Sequence, residues 1–314
     1  MKPDASVTTL DSGGGGESML VRRLKEIAAR HSRGEMDERR PAMESAWPTT
    51  RQLPLWPESS RGTPNLWLRG ALFAAIHGKD RRAFQRVLLA TISGVEIRFS
   101  GWQLVQSDLD VWEAVVHLAR VQGLGHSVEF SAYQILKTLS RPTGQSEREW
   151  LRDSFTRLAG AVVELKAGDV VFFGALLKGT RNEVSGRYVV QLDLALASIY
   201  ESGWTRFHWD ERQKLRRKPL ALWLHGWYST HAQPYSMQME TIRRLSGSSN
   251  THSGSFRRQL GKALDELVTV GSIFAWSYEG CLVKVQRRPS ASQARYLAKK
   301  AGGTMARRRI EENR

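Results

Sequence analysis

From Ser253 onward the apolar residues Phe256, Leu260, Ala263, Leu264, Leu267 and Val268 recur at helical spacing and mark one buried stripe. The opposite side of that helix carries Ser255, Arg258, Gln259 and Lys262. Gly271 ends it, and residues 272–278 and 281–286 read as two short strands closed by Glu279-Gly280, a turn whose glycine supplies positive φ. A basic-faced helix followed by a hairpin is how a winged helix ends: recognition helix, then wing.

The same pattern occurs upstream. Residues 95–99 alternate as a strand, and residues 108–122 predict a helix with the core stripe Val111, Trp112, Val115, Leu118 and Ala119, closed by Gly123. Ser131 with Gln134 forms a capping box for a helix reaching about residue 140. After the turn at Arg141-Pro142-Thr143-Gly144, Ser146 and Glu149 predict a second capping box, on a helix that packs Leu151, Phe155, Leu158 and Val162 inward. Strand-like runs follow at residues 162–165, 170–178 and 188–192. Residues 210–230 read as a helix kinked near Pro219 with Leu220, Trp223, Leu224 and Trp227 facing a core, and residues 239–245 as a short helix. The expected fold class is α+β, with two tandem winged-helix domains at residues 95–203 and 204–287. A disordered leader (1–50), a linker (51–94) and a basic tail (288–314) complete the expected organisation. The leader holds four glycines at 13–16, and six of the ten prolines lie at or before Pro64. A short stripe of Leu20, Leu24, Ile27 and Ala28 after Ser18 predicts a marginal helix there.

Charge narrows the partner. The 314 residues include 47 Lys and Arg against 31 Asp and Glu, a net +16, which points to a polyanion, although a ribosomal or membrane-surface partner fits the total as well. Residues 1–50 carry eight basic and eight acidic side chains, and residues 287–314 nine and two, so the tail holds +7 and the middle +9. Cys281 is the single cysteine, which excludes an internal disulfide or thiolate zinc cage. The absence of a signal peptide or a membrane-length apolar run makes a bacterial cytoplasmic protein, associated with nucleoid or plasmid, the expected location.

Gly261-Lys262 is followed by Ala263, so no phosphate cradle of P-loop type is present. No two histidines stand two apart and no H-E-x-x-H occurs, which predicts a protein without metal, cofactor or enzymatic activity, its isolated histidines serving packing or surface roles. Candidate DNA contacts are Ser255, Arg258, Gln259 and Lys262 with Arg257 at the flank, because Arg and Lys read guanine and Gln reads adenine. The first unit offers Arg152, Thr156 and Arg157 beside Glu149 and Asp153, acidic side chains that repel phosphate unless they accept from cytosine N4. Tail residues Arg307, Arg308 and Arg309 suit phosphate contacts without sequence specificity. Gln52-Leu53-Pro54-Leu55-Trp56 matches the short Gln-Leu-x-Leu-aromatic pattern that binds bacterial sliding clamps, with Leu55 and the Trp56 ring filling an apolar cleft. The competing reading has Leu55 and Trp56 cover the adjacent domain.

The run from Pro234-Tyr235 through Glu240-Thr241, Arg243 and Gly247-Ser248, then Phe256-Arg257 and Leu264-Asp265-Glu266-Leu267, resembles the second winged helix of the TrfA plasmid replication initiators. The resemblance extends upstream through Arg69, Ala71-Leu72-Phe73, Gly94-Val95-Glu96 and the Trp112 helix, and covers about residues 52–287. It implies a monomer-active initiator that binds direct repeats (iterons) in double-stranded origin DNA and helps melt adjacent A·T-rich DNA. It also implies recruitment of host initiator, replicative helicase and clamp, and a homodimer inactive in initiation that limits copy number. Trp56 stands where the family commonly has Phe, and the basic tail is additional. Rival expectations are a winged-helix transcriptional repressor of a plasmid or mobile element, which needs no clamp peptide, and a nicking enzyme, disfavoured by the missing histidine pair.

Overall fold

The structure is a computed structural model; it describes residues 51–312 apart from Ser93 and Asp169, with backbone only at Ala167, at Val170 and from Gly302 onward. The predicted stripe at Leu20 to Ala28, and the leader as a whole, lie outside the described residues. The strands are β1 (Ser60–Pro64), β2 (Phe73–Ala74), β3 (Ala83–Leu89), β4 (Val95–Trp102), β5 (Leu104–Val105), β6 (Ser127–Ser131) and β7 (Val162–Ala167), then β8 (Val170–Ala175), β9 (Lys178–Arg181), β10 (Arg187–Gln191), β11 (Trp204–His208), β12 (Met237–Gln238), β13 (Ala275–Glu279) and β14 (Leu282–Gln286). The helices are α1 (Asn65–Leu68), α2 (Gln106–Ala119), α3 (Ala132–Thr138), α4 (Gln145–Gly160) and α5 (Leu196–Glu201), followed by α6 (Trp209–Lys214), α7 (Pro219–Ser229), α8 (Met239–Leu245), α9 (Ser253–Thr269) and α10 (Ala291–Glu312). Among the described residues no helix is long and apolar enough to cross a membrane.

One order of elements occurs twice. The helix α2, strand β6, helix pair α3–α4 and hairpin β9–β10 form the first copy, with sheet order β6-β10-β9. Helix α7, strand β12, helix pair α8–α9 and hairpin β13–β14 form the second, with order β12-β14-β13. In both, the last strand returns antiparallel beside the strand that precedes the helix pair. Local chemistry sets the helix ends. Ser131 and Gln134 cap α3 reciprocally. Pro219 starts α7 at a position where its missing N–H costs nothing.

Several expectations need correction. Helix α4 begins at Gln145 after Gly144 without a side-chain cap, so the expected Ser146–Glu149 box does not form; Glu149 instead accepts from Gln145 Nε2 at 2.8 Å. Val162 lies on β7 rather than on the helix and is half exposed, and Val268 also lies outside the buried stripe of α9. Hairpin β7–β8, the first strand pair after α4, does not form the wing. It pairs with β4 and β3 in a four-stranded antiparallel sheet, β3-β4-β7-β8, where Ile97, Phe99, Val163 and Leu165 are buried. Wing geometry falls to β9–β10, the next hairpin.

The stretch expected to be a linker, residues 51–94, is built into the fold. β1 pairs antiparallel with β11, Ser60↔His208 to Pro64↔Trp204, across the expected boundary at residue 204. Phe207 and Trp209 accordingly pack in the first core, whereas Ala75 packs in the second. The intervening segment is pinned to α7: Trp223 Nε1 donates to Gly70 O at 3.0 Å, and Arg69 donates to Thr230 Oγ1 and O, each at 2.9 Å.

A buried ionic cluster joins the halves. Arg212 on α6 is inaccessible and donates to Asp110 Oδ1 at 2.6 Å, to Gln106 Oε1 at 3.1 Å and to Leu222 O at 3.2 Å. Glu113 lies 3.7 Å from the same guanidinium and accepts from Thr63 Oγ1 at 2.6 Å. Burial pushes its carboxyl up to about 7 against the pull of Arg212.

Candidate nucleic-acid interface

Helix α9 buries Phe256, Leu260, Ala263, Leu264 and Leu267 against α7 and α8, which turns its polar stripe outward. His252 caps the first turn by accepting from Ser255 N at 3.2 Å. Asn250, in the turn after α8, donates to Ser255 Oγ at 3.1 Å and to Gln259 Oε1 at 3.2 Å. Both side chains are therefore oriented before any partner arrives: Gln259 keeps its amide N–H groups free to donate, and Ser255 its hydroxyl proton. Arg258 and Lys262 are exposed and, among the described residues, carry no ion pair.

Arg257 takes a different position. Its guanidinium lies 3.9 Å over the Tyr278 ring and donates to Gly280 O at 2.9 Å, while Tyr278 donates back to Arg257 O at 2.8 Å. These contacts fix wing β13–β14 to the flank of α9. Further along, Trp276 Nε1 donates to Asp265 Oδ1 at 2.9 Å.

Beside Lys262 the structure shows basic residues that sequence reading missed. Lys262 and Gln259 share a cleft of about 250 Å³ with His77, Arg217, Lys218 and Glu266. Lys218 is neutralised by Glu266, but exposed Arg217 has no ion pair among the described residues and holds φ at +67° in the break between α6 and α7. Pro219 marked the break in sequence, but nothing there placed Arg217 next to α9.

The first unit is less basic. Arg152 and Thr156 are exposed on α4 beside a cleft of about 230 Å³ shared with Gly179, Arg181 and Tyr188 of the β9–β10 wing. Glu149 and Asp153 share the exposed side of that helix, and Arg181 is paired with Glu183 at 2.7 Å. The expectation that Arg157 faces DNA is corrected: it donates to Asp108 Oδ1 at 2.8 Å and to Ser154 Oγ at 2.8 Å. Asp108 is fully buried and also binds Arg81 at 2.9 Å, so the Arg157 charge is spent inside the fold. Arg307, Arg308 and Arg309 fall on α10, and their side chains lie outside the described residues.

The Gln52-to-Trp56 peptide is not a free segment. Leu53 is 2% exposed and Trp56 4%, whereas Leu55 is 70% exposed. Gln52 Nε2 donates to Arg120 O at 2.6 Å. The Trp56 ring packs against Tyr200 and Trp204, with centroids 6.3 and 5.8 Å away. Its Nε1 donates to His117 Nδ1 at 3.0 Å, which leaves the His117 proton on Nε2, facing Glu58 at 2.7 Å. Burial lowers His117 to about 4; hydrogen bonds from His117 and Arg120 lower Glu58 to about 2. Of the two expectations for this peptide, covering the adjacent fold describes Trp56, whereas Leu55 faces outward. His225 and His231 likewise pack, against Phe207 and Trp227.

Comparison with known proteins places these features in a family. The plasmid replication initiator protein TrfA of Escherichia coli is 26% identical over 232 residues, an alignment covering 70% of this chain and 60% of that protein. The chain thus spans about 60% of the length of the curated relative it matches. Two crystal structures of domains 2 and 3 of RctB align at 14% identity with TM-scores of 0.49 and 0.45, over 71% of this chain and 98% and 97% of theirs. The TrfA protein family model matches residues 49–287, most of the chain and both repeated units, and the chain belongs to the TrfA family.

Proposed function

We propose that the chain is a plasmid replication initiator that binds iterons in double-stranded origin DNA through two winged-helix units and works by binding and recruitment, without catalysis of its own. The observation that carries this reading is the outward stripe of α9: Ser255 and Gln259 pre-oriented by Asn250, with Arg258 and Lys262 unpaired among the described residues. Such a helix reads base edges in a major groove, and Arg217 beside it meets the flanking phosphate. The first unit, with acidic residues on α4, makes the weaker sequence contribution and chiefly sets register. Opening of A·T-rich DNA and recruitment of host initiator, helicase and clamp belong to this reading by kinship with the family. Exposed Val171 and Phe173 on open edge strand β8 offer the self-contact for an inactive dimer.

The test is binding of full-length protein to a duplex carrying the direct repeats beside its gene. Arg258→Ala should lower affinity for the repeat by about 1–3 kcal/mol while leaving non-specific duplex binding nearly unchanged. Equal losses on both duplexes would remove α9 as the reader. The repressor reading shares these contacts and is favoured by one observation, the burial of Leu53 and Trp56. Whether the protein supports replication of an origin plasmid in cells separates the two.

A further inference from the structure

We propose that residues 51–57 form a self-docked latch: the peptide that would enter a sliding-clamp cleft is stored against helix α2 of its own fold and reaches the clamp only after it swings off. The inference rests on the clamp reading above and adds its regulation.

The pattern asks a clamp to take up a glutamine amide, a leucine and an aromatic ring together. Here the amide of Gln52 is bonded to Arg120 O, and Leu53 and Trp56 are buried in the first core. The same chemical groups are thus satisfied twice, once inside the molecule and once in a partner, and one peptide cannot occupy both sites. Trp56 is seated closely: a methyl group on Gly62 would lie 2.5 Å from its ring. Its indole N–H, carbonyl and the neighbouring Glu58 are gathered by His117 and Arg120, both from the C-terminal end of α2 and its cap.

Release is feasible because the stored stretch contributes little backbone structure. It belongs to no helix or named strand, and its backbone is bonded to the rest of the fold by the Arg51↔Leu124 bridge, by a bond from Arg120 Nε to Trp56 O at 3.2 Å and by one from Ser60 N to Pro57 O at 3.0 Å. Pro54 and Pro57 offer no N–H. Lifting residues 51–57 therefore breaks side-chain contacts and the one backbone pair between Arg51 and Leu124 but no named strand, a local opening rather than unfolding. Leu55, already outside, is the first residue a clamp can touch. Apparent clamp affinity is then the intrinsic affinity of the peptide multiplied by the open fraction.

The experiment compares binding of purified bacterial sliding clamp to a synthetic peptide of residues 51–57 and to the full chain. The full chain is used as wild type, as Gly62→Ala, and as a disulfide pair Arg51→Cys with Leu124→Cys in a Cys281→Ser background. The latch predicts that the peptide binds more tightly than the wild-type chain. It also predicts that Gly62→Ala, which displaces Trp56, gains roughly 10-fold or more in clamp affinity with repeat-DNA binding unchanged. The oxidised pair should lose clamp binding and regain it on reduction. That pair keeps the test decisive if Gly62→Ala does not fold, because both of its states are one polypeptide. If the peptide binds but the wild-type chain binds equally well and oxidation changes nothing, the latch is overturned while the clamp reading stands. Failure of the peptide itself to bind overturns the clamp reading and the latch with it.

Discussion

Replacement of Arg217 by glycine separates a structural role from a DNA-binding one, because the two predict opposite signs. At φ +67° a side chain meets its own backbone, a penalty of about 1 kcal/mol per residue that glycine does not incur. Glycine also widens the unfolded ensemble by roughly 0.4–1 kcal/mol, so Arg217→Gly should leave stability unchanged or raise it by up to about 0.6 kcal/mol. Loss of its guanidinium removes one phosphate contact beside Lys262. Each such contact contributes about 0.9 to the slope of log affinity against log salt, so the variant should bind about 8-fold more weakly near 0.1 M salt. The loss should be equal for repeat and unrelated duplexes, since phosphates carry no sequence. Fluorescence anisotropy at several KCl concentrations, with thermal melts of the same preparations, reads both quantities. A lowered melting temperature with an unchanged salt slope would refute the reasoning and make Arg217 a fold residue. Arg217→Ala is the control: it loses the same charge but keeps the strain.

Three further outcomes follow from the buried polar groups. Arg212→Met should destabilise the protein by about 3–5 kcal/mol in urea unfolding, because Asp110 and Glu113 are left buried without their cation; a loss below about 1 kcal/mol would show that the cluster is not what joins the halves. The fold depresses the pKa of His117, so its contribution is complete above about pH 6.5 and is lost as pH falls toward 4, while Glu58 stays ionised throughout; nitrogen NMR of His117 should show an unprotonated Nδ1 down to that range, and a midpoint near 6.5 contradicts the Trp56 bond. Arg157→Ala should destabilise the protein by about 1–3 kcal/mol, less than a full buried-pair loss since Arg81 still faces Asp108, and should leave repeat-DNA affinity unchanged once the protein is folded; a stable variant with weakened DNA binding reverses that assignment.

Periodicity recovered what is local. Helix α8 spans the expected residues, α9 buries five of the six expected apolar positions, and the Glu279-Gly280 turn joins β13 to β14 with Gly280 at φ +60°. The capping box expected at Ser131 forms and the one at Ser146 does not, because the helix starts two residues earlier, with Gly144 as N-cap, and carries Ser146 into its first turn. Partners distant in sequence were not legible. Strand β1 reads Ser-Arg-Gly-Thr-Pro, all five residues buried between β11 and α2, yet it has no apolar alternation to mark it as a strand. Its burial is sustained by polar pairing, Thr63 to Glu113 and Arg61 over the Trp209 ring at 4.4 Å, which no window of neighbouring residues displays. For the same reason the strand-like runs after α4 do not show which of them form the wing: the partner of β7 is β4, some sixty residues upstream.

The arginines show most clearly why the site was only half legible. Arg152, Arg157, Arg217, Arg257 and Arg258 are equivalent as sequence symbols; helical spacing sets Arg257 at the flank of α9 but does not separate Arg152 from Arg157 on α4. What separates them is the group each guanidinium meets across space: a buried carboxylate for Arg157, a tyrosine ring and a wing carbonyl for Arg257, and no ion-pair partner for Arg152, Arg217 and Arg258 among the described residues. A guanidinium already satisfied by the fold gains little by turning to a phosphate or a guanine, because it must first surrender a charge-assisted bond. An unpaired one exchanges only water and counter-ions, so its whole interaction is available to DNA. By this criterion the nucleic-acid face gathers on α9 and the Arg217 corner, while Arg152 stands on α4 beside exposed Glu149 and Asp153.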